Sequence, residues 1–176
     1  MGFKISWLGF KGLSKEQILD RVGLRDTGEP DEANEAPFSI AEIPHGWTIL
    51  FTNDTLYADA EKIIALSMGA QVVACQVHEG VMFSAAYAAE NGKLIWSVSH
   101  NSENGVYDLS IDGNPPTSSE GLKARLTREQ DEAGGSDADV DYLFDVPVEL
   151  AASIADYRHD RWQFDWGEPR FTALKS

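Results

Sequence analysis

The residue pattern predicts an α+β protein, a mostly antiparallel sheet with about four helices packed on it. Three observations carry the prediction. Alternating apolar and polar runs recur at short spacing between about 72 and 111, and a second such pair lies at about 38–53. Helix-capping signals fall outside those runs. The chain has 176 residues and is 43% hydrophobic, which suffices for one core without metals or disulfides. A single domain over 1–176 is therefore expected, with exposed acidic loops at about 25–36 and 131–141.

The elements follow in order. Phe3, Ile5 and Trp7 alternate with Lys4 and Ser6, which predicts a first strand with one buried face. Its first residues also fit the loose pattern for N-myristoylation, but a strand so near the terminus leaves little tether for a lipid. Ser14 and Gln17 spell a capping box, with Leu13 and Ile18 as its staple and Gly23 as the stop. The polar stretch after Arg25 contains Gly28 and Pro30 and reads as a loop. Residues 38–43 and 47–53 flank Pro44-His45-Gly46, which suits a hairpin. A helix is expected over 59–68, with Gly69 ending it.

Strands are then predicted at 72–77, 81–89, 94–100 and 106–111, and Asn91-Gly92 is a strong two-residue hairpin signal. Such short links dictate an antiparallel meander, because parallel neighbours need a crossover of about a dozen residues or more. Leu94, Trp96 and Val98 are expected on one face, and His100 continues it. Asp108, Ser110 and Asp112 are expected to face water or a partner. Thr117 with Glu120 spells a second capping box, opening a largely polar helix with Leu122 and Leu126 as its apolar pair. A last helix is predicted over about 147–157, and Trp162, Phe164 and Trp166 then form a strand or an aromatic clasp.

Charge is segregated along this scaffold. The formal net charge is −15, from 29 acidic and 14 basic residues. Between 26 and 61 there are nine acids and no Lys or Arg, and between 129 and 149 there are eight acids and no base. Such a field repels nucleic acid and anionic membrane and favours a basic protein partner. No apolar run reaches the ~20 residues that span a bilayer. Cys75 is the one cysteine, so no internal disulfide is possible, and a cytoplasmic location is expected.

Motifs with chemical meaning are scarce. Asp137, Asp139 and Asp141 alternate as the first ligands of a calcium loop do, but Tyr142 stands where that loop needs glycine and Val148 where it needs its bidentate acid. His45, His78, His100 and His159 lack zinc spacing, so no metal or other cofactor is expected. No nucleophile elbow, phosphate loop or dinucleotide fingerprint occurs. Arg158-His159-Asp160-Arg161-Trp162 is the densest polar cluster, fit to grip an anion, although in so acidic a chain its arginines are expected to pair with the protein's own carboxylates.

Two functional expectations result. The first is a non-enzymatic binding protein, of the inhibitor or immunity type, that docks a basic partner through Asp31, Glu32 and Glu35 or through Asp137, Asp139 and Asp141. The second is a small enzyme or ligand-binding protein with a pocket between sheet and helices, where Cys75, His100, Asp108 and Arg158 would converge. Convergence or dispersal of those side chains separates the two. Oligomeric state is not legible in the pattern.

Overall fold

A computed structural model describes residues 2–176. It is a single nine-stranded antiparallel sheet with four helices, as the pattern predicts. The strands are β1 (Lys4–Lys11), β2 (Arg25–Pro30), β3 (Phe38–Glu42), β4 (Trp47–Thr52), β5 (Gln71–His78), β6 (Phe83–Glu90), β7 (Lys93–Asn101), β8 (Ser110–Gly113) and β9 (Thr172–Lys175). Their spatial order is β2-β9-β3-β4-β1-β5-β6-β7-β8. The helices are α1 (Lys15–Val22), α2 (Ala60–Leu66), α3 (Ser118–Glu132) and α4 (Asp145–Ala155).

β1 lies centrally, between β4 and β5, and both of its faces are covered. Ile5 and Trp7 enter one apolar layer, and Leu8 and Phe10 the other. The expected one-sided strand is thus two-sided: Ser6 is buried too, its hydroxyl donating to the Asp54 carbonyl at 2.7 Å. On the first face, here the upper one, Phe51, Cys75, Ala86, Trp96 and Val98 pack beneath Leu126 of α3, Leu150 of α4, and Tyr157 and Phe171 of the chain after α4. On the lower face, Ile40, Leu50, Val72 and Ala74 pack against Ile18 of α1 and Ile63 of α2. Alternation along each strand feeds both layers, so neither helix pair alone closes the core.

Local signals act where expected for α1 and for the hairpin β6–β7. Ser14 and Gln17 exchange both capping-box hydrogen bonds, and Gly23 takes the left-handed conformation at the stop. Asn91 and Gly92 both have positive φ, as a tight two-residue hairpin of this twist requires. Helix α2 is capped by Asp59, whose carboxylate accepts from the Lys62 amide.

Five further readings are corrected. Residues 25–30 are an edge strand, not part of a loop: β2 pairs with β9, and Thr27 donates its hydroxyl to the Ala173 carbonyl. Leu94 and Trp96 do not share a face, because the register shifts between Ala88↔Trp96 and Ala89↔Leu94, a bulge that reverses the alternation. Residues 106–109 are not strand, since Asp108 binds the end of β7 with both its carbonyl and its carboxylate and holds a turn there. Thr117 makes no side-chain cap, as it already adopts helical angles. Finally, α4 begins at Asp145, with Pro147 inside its first turn. The residues after α4 form the aromatic clasp, Phe164 stacking on Trp166 at 4.9 Å and on Tyr157 at 5.8 Å.

Candidate functional site

The polar groups gather on the upper face, where β7, the α3–α4 connection and α4 meet. His100 stands near the end of β7, opposite Ser84, and is fully buried. Its Nδ1–H donates to the Asp108 carbonyl at 2.7 Å, since a carbonyl can only accept. Its Nε2 lies 2.7 Å from Asp141 Oδ2. With acceptor oxygens at both nitrogens the site favours the protonated ring. Burial alone would lower its pKa, but the hydrogen bonds to Asp141 and to Asp108 outweigh burial and raise it above the ordinary histidine value. Asp141 also accepts from the Phe144 amide at 3.3 Å, so one carboxylate ties the sheet to the start of α4.

Gln130 supports the same connection from α3. Its side chain is buried, donates to the Gly135 and Val140 carbonyls at 2.9 Å each, and accepts from the Tyr142 amide at 2.8 Å. Tyr107 donates its hydroxyl to Asp131 at the end of α3. Asp137 and Asp139 are left exposed on the α3–α4 loop, with Glu132 exposed at the last residue of α3, and buried side chains anchor the loop from below at both ends.

Arg158 follows α4 and is saturated. Its guanidinium donates to Asp160 at 2.7 Å and to Asp145 at 3.1 Å, and Glu149 lies 3.8 Å away. Burial would lower the guanidinium pKa, but these carboxylates raise it overall. Asp145 is pushed up by burial, which outweighs Arg158, while Asp160 is lowered because Arg158 and His159 outweigh its burial. Arg158 lines a cavity of about 890 Å³ together with Lys4, Glu79 and Asp141.

The ten residues singled out from the sequence fall into distinct roles. Asp31 is buried and accepts from the Glu35 and Ala36 amides, so it shapes its own turn; Glu32 and Glu35 are exposed beside it. Asp137 and Asp139 are exposed, whereas Asp141 is spent on His100. Among the pocket set, His100 and Asp108 touch, and Arg158 shares its cavity with the partner of His100. Cys75 stands apart: it lies opposite Ala86 and Val98, one row away from the Ser84–His100 row and two strands from β7. Fully buried, its thiol is pushed up to about 12, chiefly by desolvation, so a nucleophilic thiolate is inaccessible there. Among the described residues no cluster of His, Cys, Asp and Glu has the arrangement to hold a metal ion.

Sequence reasoning missed a second cavity, of about 780 Å³, between the β2–β3 turn and the chain after α4. Arg161 and Trp162 line it, as do Arg170 and Glu32. The cluster at 158–162 was its one local signal. The expected pairing of its arginines with carboxylates holds for Arg158, while Arg161 forms no ion pair among the described residues. Compared with protein families, curated proteins and solved structures, the chain matches none. No helix among the described residues is long and apolar enough to cross a membrane.

Proposed function

We propose that this chain is a non-enzymatic binding protein that docks a basic protein partner through the acidic loop between α3 and α4, acting as an inhibitor or immunity-type protein that covers a cationic site. The observation that carries the reading is the anchoring of that loop. Asp137 and Asp139 project from a segment pinned by the buried side chains of Gln130 and His100. Carboxylates on a fixed loop lose little conformational entropy on binding, which converts charge complementarity into affinity and partner choice. The net charge of −15 adds long-range steering toward a cationic surface. The sealed Cys75 and the ring of His100, with both nitrogens already hydrogen-bonded, favour binding over nucleophilic chemistry at this end of the sheet.

The test is affinity capture from the source lysate with the wild-type chain and with an Asp137→Lys, Asp139→Lys double variant, each washed at low and high salt. The expected result is a basic protein held by the wild type at low salt, released at high salt, and not held by the variant. Salt should act because the carboxylates are exposed and their field is screened within about 10 Å at 0.1 M salt. Identical capture by both baits would refute the loop as the docking surface.

A further inference from the structure

The second cavity has a chemistry unlike the rest of this acidic protein. Its floor is Tyr157 and Phe171, both buried, and these rings are fixed by edge contacts with Trp7 and Phe51 and with each other. Trp162 stands at its wall, 77% exposed, and pairs with no other ring or cation among the described residues. Arg161 and Arg170 are both exposed there, and neither forms an ion pair among the described residues, although the chain holds about twice as many acids as bases (29 against 14). Tyr157 is 2% exposed and lines the floor. Glu32 and Glu168 supply acceptors on the rim.

We infer that this cavity binds a small ligand of the mononucleotide class: a planar ring stacked on Trp162, a phosphate held by Arg161 and Arg170, and hydroxyl or amino groups donating to Glu32 and Glu168. Each part of that ligand answers a group the fold leaves unsatisfied. An exposed indole loses apolar surface to water until a flat ring covers it. Two unpaired guanidiniums in an otherwise negative field match a compact anion with bidentate geometry. A volume of about 780 Å³ is of the size that encloses a small molecule, whereas a polymeric nucleic acid would meet the repulsion of the whole chain. The cavity lies at the β2–β9 end of the sheet, opposite the acidic loop beyond β7, so this inference stands or falls apart from the protein-docking reading.

The experiment is calorimetric titration of the full chain with the common ribonucleoside 5′-monophosphates, with the uncharged ribonucleosides and inorganic phosphate in parallel. Acrylamide quenching of tryptophan fluorescence gives a local readout, because Trp7, Trp47 and Trp96 are almost sealed, Trp166 is half-buried against Phe164, and Trp162 is the open one. At least one mononucleotide should bind and shield Trp162, with its nucleoside and phosphate each weaker by about tenfold or more. Arg161→Gln and Arg170→Gln should each weaken binding by about tenfold, since each removes a charged hydrogen-bond donor. Trp162→Ala should weaken binding in the calorimetric titration while Trp162→Phe retains it. All three side chains replaced are exposed, so the fold should survive, as circular dichroism would confirm. No binding by any mononucleotide up to millimolar concentration, or binding unchanged in both arginine variants, would overturn the inference.

Discussion

The two ends of the upper sheet face are built from similar residue types and finish in opposite states. At the β7–β8 end, helices α3 and α4 form the roof, and charges there have partners: the buried His100 with Asp141, the half-buried Arg158 with Asp145 and Asp160, and the exposed Arg125 with Glu149. At the β9 end the roof is irregular chain, and Arg161, Arg170 and Trp162 stand open around a cavity. A helix presents side chains at fixed spacing to a neighbouring helix, so charges can be matched across the seam. Irregular chain held by an aromatic clasp fixes its backbone without matching its charges. Structural polar groups therefore mark the helical end, and unsatisfied ones mark the end with room for a ligand.

The largest expected effect tests the clasp on which the open end rests. Tyr157→Ala should destabilise the fold by about 3–5 kcal/mol in denaturant unfolding, because it empties the contact among Trp7, Phe164 and Phe171. A loss near zero would mean that the irregular roof is dispensable.

His159 sharpens the boundary between the ends. It is 8% exposed, packs edge-on against Phe3 at 4.8 Å, and neither ring nitrogen has a partner. Burial holds its pKa down to about 4, from an ordinary 6.5. A lowered folded value means that the unfolded chain binds the proton first. Its contribution is thus fully present above pH 6.5 and is lost as pH falls toward 4, by about 3 kcal/mol. His159→Phe should flatten that part of the stability profile and be at least as stable at neutral pH, since it removes two unpaired buried polar atoms.

Next in size is the paired end itself. Arg158→Met should cost about 2 kcal/mol, less than for a fully buried pair because the three carboxylates around it remain partly solvated. His100 should give the opposite pH sign to His159. Its raised folded value makes its contribution complete below pH 6.5 and fading as pH rises through that higher value. Asp141→Asn should remove this alkaline slope, measured as the unfolding midpoint against pH. At the open end, Arg161→Gln or Arg170→Gln should change stability by no more than about 0.5 kcal/mol, since no partner is lost.

What the sequence revealed follows the same division between local and distant forces. The Ser14–Gln17 box, the Asn91-Gly92 turn and the meander around it are written in residues that touch their near neighbours. Strands β2 and β9 are not: they are short, polar in part, and pair across about 145 residues, so nothing local announces them. The Ile95 bulge is equally silent, because it depends on a cross-strand register. At the candidate site, His100 and Arg158 were legible as polar residues worth inspection, but their partners Asp141 and Asp145 come from other elements. The exposure of Arg161 and Trp162 was hidden for the same reason.

The central claim is that the acidic loop is a fixed surface rather than a solvated tether, and amide hydrogen exchange of Tyr142 tests it most directly. Its N–H donates to the buried Gln130 side chain at 2.8 Å, so it should exchange as slowly as the amides of α4 and be released by Gln130→Ala. Exchange of Tyr142 at the rate of an unstructured peptide in the wild-type chain would contradict the account.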